Sequence, residues 1–316
     1  MTEDVFRDRQ RHFARFIVPH QAYTQAIDII EHAITAAHTT GEPVSGLMTG
    51  EPGTGKTTIC QVLVSQRPPA EVRVEEGGIR RVIPAFYCAV PAEVSIKGLA
   101  SEMLNRLGCV EMRGDRIALE RRLMGLLKTC QTEVIFLDEF HHLLARGAEK
   151  TRAGVCDWVK GLMNDTGIPV ILVGMPKCEA IIDEHPQLAR RFPYRAHLRA
   201  IPYASTARSE FTRVLRAFRK AMIEHADMRE VVAFTDGALV AALYVATAGN
   251  MNAIRQLLYE VVGVALSRGD GAVVAEDFAE AFAGVRLDSA LARGRNPFTL
   301  DSTDVRAIIA KAPASC

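Results

Sequence analysis

The stretch Gly50-Glu51-Pro52-Gly53-Thr54-Gly55-Lys56-Thr57-Thr58 constrains the fold of this chain more than any other. It fits G-x-x-x-x-G-K-[ST], a loop that cradles phosphate between a strand and a helix. The flanks supply that context. Residues 44–49 read as a short buried strand, and residues 56–65 as a helix with Ile59, Val62 and Leu63 on one apolar face. Glycines at 50, 53 and 55 let the backbone curl so that successive N–H groups point inward, at a helix N-terminus that already favours anions. In such a loop Lys56 reaches the β- and γ-phosphates and the Thr57 hydroxyl ligates Mg²⁺. The plain alternative, a Gly-rich turn before an ordinary helix, leaves the spacing, the strand and the Lys-Thr pair as coincidences.

A chain of 316 residues is worth roughly two domains. Apolar content of 48% against 24% charged places it among globular proteins that bury a large core. No stretch reaches the roughly 18 uninterrupted apolar residues of a membrane span. The first residues are charged and carry no apolar leader, so the chain reads as cytoplasmic. A net charge of +1 neither favours nor disfavours nucleic acid, because opposite charges can segregate onto different faces. The seven cysteines form no C-x-x-C pair, which points to small buried hydrophobes rather than a zinc or disulfide framework.

Residues 1–40 read as an N-terminal helical segment interrupted at Phe16-Ile17-Val18-Pro19-His20. Past the loop helix, residues 72–74 and 79–82 flank Glu75-Glu76-Gly77-Gly78, a hairpin turn pattern, and the second arm runs on through Pro84 into a core strand ending at Val90. Helices follow at 96–107 and 115–129. The apolar run 133–138 is a third strand, buried on both faces. A helix at 151–164 carries Trp158 on its core face, and strands at 168–173 and 196–201 complete a doubly wound α/β domain over 41–203. Beyond Pro202 helices dominate. Ser205 is a fair N-cap for a helix bearing Phe211, Val214, Leu215, Phe218 and Met222, and further helices read at 236–248, 250–267 and 275–283. Residues 204–285 thus form a small all-helical domain. The tail 286–316 has weaker periodicity and reads as mobile until a partner binds.

Asp138 closes the third strand where a carboxylate can hold Mg²⁺ opposite Thr57. Glu139 follows, and a second acid is what a hydrolase needs to polarise attacking water. No N-K-x-D guanine-reading sequence is present, which leans towards ATP. Arg190 and Arg191 lie in Gln187-Leu188-Ala189-Arg190-Arg191-Phe192, where an arginine can neutralise charge on a γ-phosphate, although spacing alone equally suits a salt-bridged surface residue. Residues 190–220 carry eight Arg and one Lys against the single acid Glu210. With Arg213, Arg216 and Lys220 off the apolar helix face, this is either a phosphate-contacting stripe or a solvated surface. His141 and His142 are adjacent, cannot share one helical face, and have no further ligands nearby in sequence, so they do not read as a metal site.

Taken together, Gly50–Thr57, the Asp138-Glu139 strand, Pro169–Gly174, residues 187–192 and a helical C-terminal domain resemble an AAA+ ATPase: a P-loop core with a five-stranded parallel sheet plus a small all-helical lid. More narrowly, Phe140-His141-His142-Leu143-Leu144 and Val173-Gly174-Met175-Pro176 resemble the TniB/TnsC group of transposition regulators. That resemblance implies ATP and Mg²⁺ as cofactors and assembly of copies as a ring or helical filament on duplex DNA. It further implies target selection, recruitment of a transposase and a TniQ-type targeting protein, and disassembly through hydrolysis, with no membrane involved. It gives Lys56, Thr57, Asp138 and Glu139 the nucleotide-site roles, Arg191 the role of a finger acting in trans, and Ile17 and Pro19 the adenine pocket. Lys97, Arg113 and Arg116 are the implied DNA contacts, salt-sensitive and weakly sequence-dependent. Two positions depart from the pattern: Met175 stands where relatives often place a polar sensor, and the Gly249-Asn250-Met251-Asn252 turn lacks an arginine, with Arg255 one turn later. A helicase loader or replication initiator of the DnaC/Orc type is the alternative, although no winged-helix pattern follows residue 285. A small-molecule phosphotransferase is disfavoured by Glu139.

Overall fold

The computed structural model describes residues 3–312 except Pro43, Glu76, Gly77, Glu93, Val94, residues 146–148, Ala207, Asp236 and Asp288. They fall into two units, Ala22–Leu198, and Arg199–Cys316 together with Met1–Gln21. Helix α1 (Glu3–Ala14) precedes the first and belongs to the second.

The continuous unit begins with α2 (Gln21–Thr40), β1 (Gly46–Gly50) and α3 (Lys56–Ser65), followed by a hairpin of β2 (Glu71–Glu75) and β3 (Gly78–Val82). Next come β4 (Ala85–Ala89), α4 (Ile96–Arg106), α5 (Arg116–Thr129) and β5 (Val134–Asp138). It closes with α6 (His141–Ala145), α7 (Glu149–Thr166), β6 (Val170–Gly174), α8 (Lys177–Asp183), α9 (Pro186–Ala189) and β7 (Tyr194–Leu198).

Five strands pair in the order β4-β5-β6-β1-β7, all parallel. Parallel neighbours need crossover connections, so both faces are covered and the central strands must be apolar on both sides. β1, β5 and β6 are accordingly buried at every position. Alternate side chains feed opposite faces. Ile135 and Leu137 join Leu47 and Leu172 in a core with α4, α5 and α7, whereas Val134 and Phe136 join Met48, Ile171 and Val173 against α2 and α3. Trp158 lies in the first of these cores, 4% exposed. Since the strands run one way, Gly50, Ala89, Asp138, Gly174 and Leu198 finish at one edge.

Two local readings change. The second arm of the hairpin does not continue into β4: the chain breaks at Pro84, which has no N–H to donate and whose carbonyl accepts from the Glu133 and Val134 N–H groups at 2.8 and 3.2 Å. The expected turn residues Glu76 and Gly77 lie outside the described residues, and Glu75 pairs with Gly78 across them. The fifth core strand covers Tyr194–Leu198 rather than 196–201, because pairing with β1 runs from Gly46↔Tyr194 to Gly50↔Leu198. Ile201 donates its N–H to Gly249 instead, at 2.9 Å.

In the second unit α1 is joined by α10 (Glu210–His225), β8 (Glu230–Val231), α11 (Gly237–Thr247), α12 (Met251–Arg268), β9 (Ala272–Val273), α13 (Ala275–Gly284), a 3₁₀ turn (Pro297–Thr299) and α14 (Ser302–Ala310). The two short strands add a parallel ladder, Glu230↔Ala272 and Val231↔Val273, to an otherwise helical body. α10 turns Phe211, Val214, Leu215, Phe218 and Met222 inward. Its cap is Ser209, not Ser205: the Ser209 hydroxyl accepts from the Thr212 N–H at 3.2 Å, satisfying a first-turn donor. Phe13 of α1 packs on Phe218, with ring centroids 6.1 Å apart. Described parts of the tail beyond 285 are packed: Asn296 donates to the Ala279 carbonyl at 2.9 Å, and Val305 is buried with Ala241, Val245 and Ala292. No single described helix is long and apolar enough to cross a membrane.

Candidate active site

The Gly50–Thr57 loop leaves β1 at the carboxyl edge of the sheet and enters α3. Gly50 has no room for a side chain: a Cβ there would lie 2.5 Å from the Leu198 carbonyl oxygen and 2.7 Å from Thr54 Oγ1. Gly53 and Gly55 take φ of 78° and 100°, left-handed values that a Cβ penalises. Inside the curl, Thr54 donates to the Glu51 carbonyl at 2.8 Å. The Lys56 ammonium, 7% exposed, donates to the carbonyls of Gly50 at 2.8 Å and Glu51 at 3.0 Å. A buried cation satisfied by neutral carbonyls keeps its charge uncompensated, and with Gly55 offering no side-chain cap to α3 the pocket suits a polyanion. Glu51 and Pro52 form the exposed lip, and Thr58 is the third residue of α3.

Asp138, 1% exposed, ends β5 opposite that helix start. Its Oδ2 accepts from Thr57 Oγ1 at 2.7 Å and from the Tyr87 hydroxyl at 2.9 Å, and its Oδ1 from the Glu139 N–H at 2.8 Å. A hydroxyl and a carboxylate oxygen this close, both hard donors, fit Mg²⁺ beside a phosphate. Tyr87 belongs to no motif in the sequence and enters the site only through the fold. Burial, then the Asp138 charge and hydrogen bond, push its phenol well above the ordinary range, so it stays a proton donor that fixes the carboxylate.

Glu139 adopts φ of 56°, an uncommon conformation for a residue other than glycine, at the turn between β5 and α6. Phe140 beside it is fully buried and donates its N–H to the Val173 carbonyl at 2.9 Å, tying the turn to β6. Glu139 Oε2 lies 3.2 Å from His141 Nδ1. Burial holds the His141 imidazole below its ordinary pKa, partly offset by Glu139. The reading that the two histidines diverge with no ligand nearby is corrected by this geometry. They are the first residues of a five-residue helix, their ring centroids are 4.4 Å apart, and one ligand atom from each of Glu139, His141 and His142 lies within 4.8 Å of the other two.

On β7, His197 is in register with Thr49 and its Nδ1 lies 3.0 Å from Thr49 Oγ1. This second polar pair at the root of the loop likewise has no local signal in the sequence. Arg190 is exposed and caps α9, while Arg191 is half-buried between that cap and fully buried Phe192. Arg195, outside every sequence motif, is committed to Glu179 and Asp183. Lys97 lies exposed in the first turn of α4. Arg113 and Arg116 are exposed around the Asp115 cap of α5, with Arg116 Nε 2.6 Å from Glu120. Ile17 and Pro19 belong to the second unit, where both are exposed. In that unit Arg255 bonds the Ala14 carbonyl.

The family model described as "Bacterial TniB protein" matches residues 11–200. No curated protein matches the sequence. Among solved structures, Cdc6p from Pyrobaculum aerophilum is similar at 14% identity and a TM-score of 0.59, over 90% of this chain and 73% of that one. The Orc1 protein of Aeropyrum pernix, solved in complex with DNA, is similar at 18% identity and 0.55, over 84% of this chain and 66% of that one. A mutant form of Thermotoga maritima RuvB is similar at 17% identity and 0.50, over 91% of this chain and 77% of that one. At these identities the likeness is one of fold: the five-stranded parallel sheet with its flanking helices is that of the AAA+ ATPases.

Proposed function

The chain belongs to the TniB family, and from that premise we propose that it is an ATP-hydrolysing regulator that assembles on duplex DNA, marks a transposition target and recruits the transposase. The observation that carries this reading is the Thr57–Asp138 contact of 2.7 Å, with buried Lys56 behind it and Glu139 next along the chain. In this reading the loop N–H groups and Lys56 hold the β- and γ-phosphates, and Thr57 and Asp138 hold Mg²⁺. Bound there, the ion neutralises charge on the transferring phosphoryl group. Glu139 orients and deprotonates the attacking water. Tyr87 holds the Asp138 carboxylate in place by its hydrogen bond. Ile17 and Pro19 are assigned to the adenine pocket, and residues 204–285 to the helical lid domain. Arg191 serves the neighbouring copy's γ-phosphate. Lys97, Arg113 and Arg116 meet the DNA backbone, so binding weakens steeply with salt and depends little on sequence. Residues 286–316 and a TniQ-type protein contribute to partner choice.

Glu139→Gln tests the reading. The variant is expected to bind ATP, lose hydrolysis by at least about a hundredfold, and persist on duplex DNA as rings or filaments in electron micrographs. Wild-type arrays should need ATP and be absent with ADP or without nucleotide. A Glu139→Gln protein that remains monomeric on DNA with ATP sinks the proposal. A helicase loader or replication initiator shares the fold, and capture of a replicative helicase instead of a transposase would favour it.

A further inference from the structure

The histidine pair beside Glu139 has no part in that scheme, yet its geometry is that of a ligand set. We propose that Glu139, His141 and His142 bind a transition-metal ion of the zinc class, and that its binding withdraws Glu139 from hydrolysis. The second half rests on the role of Glu139 proposed above.

Three observations carry the site. First, Glu139 Oε2 and His141 Nδ1 are 3.2 Å apart. Bonds of roughly 2.0–2.1 Å to a tetrahedral ion put neighbouring donors about 3.3 Å apart, so this pair already spans one edge of the polyhedron. Second, His141 Nδ1 is buried and, among the described residues, makes no hydrogen bond: the carboxylate is near enough for an ion pair but misaligned for a bond. A buried nitrogen left in this state is costly without a partner. Third, His142 Nδ1 lies 3.0 Å from the Val90 carbonyl. A carbonyl only accepts, so the ring proton sits on Nδ1 and the Nε2 lone pair is free. A carbonyl behind a ligating imidazole is the arrangement that fixes ring orientation and tautomer in metal sites.

One ligand atom of each residue lies within 4.8 Å of the other two, so binding draws the three side chains together by rotation about their χ angles. Three protein ligands leave one position for water. The neighbouring oxygen site of Thr57 and Asp138 suits a hard cation, whereas two imidazoles select a softer one, so Mg²⁺ and a zinc-class ion sort between adjacent sites by donor type. The competing account is a Glu139–His141 ion pair with His142 merely packed on it, which has no metal affinity.

Untagged full-length protein, without nucleotide, is titrated with Co²⁺ while its visible absorption is followed, and with Zn²⁺ by calorimetry in excess Mg²⁺. One ion per chain is expected, with intense tetrahedral cobalt bands. His142→Ala and, as a gentler change, His142→Gln should each weaken binding at least about tenfold while keeping the wild-type circular dichroism spectrum and cooperative unfolding. ATP hydrolysis is then measured with stoichiometric Zn²⁺, each protein normalised to its own rate with chelator. Suppression of about tenfold is expected for wild type and less than twofold for either variant. Equal metal affinity in wild type and both variants, or no binding at stoichiometric concentrations, overturns the site. Binding with unchanged hydrolysis overturns its inhibitory effect. A chain that hydrolyses no ATP at all would refute the function proposed above, and the cobalt spectrum would still decide the metal site.

Discussion

Gly50 has little freedom at the root of the phosphate loop. The Leu198 carbonyl on one side and Thr54 on the other leave no volume for a methyl group, and both are fixed by strand pairing or by the loop's own hydrogen bond. Gly50→Ala is therefore expected to deform the cradle and weaken nucleotide binding by at least about tenfold, read with a fluorescent ATP analogue, because main-chain donors shifted by even 1 Å lose alignment. Gly154→Ala is the matched control, since a Cβ there meets nothing. Wild-type affinity in Gly50→Ala would refute the assignment of the cradle. Gly50, Lys56, Thr57, Asp138 and Glu139 are readable in the sequence because each belongs to a local pattern. Tyr87, Thr49 and His197 are not, because their roles exist only once parallel register sets β4 beside β5 and β7 beside β1. The histidine pair misleads for a different reason: neighbours on a helix diverge at the backbone, yet rotation of their long side chains still brings the two rings to 4.4 Å between centroids.

At the level of elements, periodicity locates every strand of the sheet and most helices, and errs where several residues of one type compete. Ser205 and Ser209 both precede the apolar face of α10, and both are admissible caps by composition. The structure selects Ser209, whose hydroxyl also lies 2.9 Å from the Thr212 hydroxyl in a buried position. Ser209→Ala should cost about 1 kcal/mol, with a further penalty for the stranded Thr212 hydroxyl, and lower the urea midpoint, whereas Ser205→Ala should change stability by no more than about 0.5 kcal/mol. The reverse ranking would return the helix start to Ser205. The tail is underestimated for a related cause. Its apolar residues follow no clear period, but Val305 packs among α11 side chains in a helix that is buried almost all round, and such a helix needs partners on every side.

At the level of the whole molecule, the proposal that Arg191 serves a neighbouring copy makes activity a property of the assembly. Lys56→Ala keeps the arginine but not the phosphate contact, and Arg191→Ala keeps the phosphate contact but not the arginine. Each alone should be inactive, and a mixture should recover a measurable fraction of DNA-stimulated hydrolysis, because some junctions then pair an intact loop with an intact finger. A mixture as inactive as its components would refute the arrangement in trans. One further property follows from how the chain is threaded. α1 finds its companions in α10 and α12, with Phe13 on Phe218, Arg9 bonded to Asp227 and Gln10 donating to the Tyr259 carbonyl at 3.4 Å. The sheet unit between them is continuous in sequence and has all it needs early. During synthesis, then, the αβ layer can complete itself while Phe13 of α1 stays uncovered until α10 and α12 have been made. Nascent material should be most prone to stick to its neighbours, and most in need of a chaperone, in that interval.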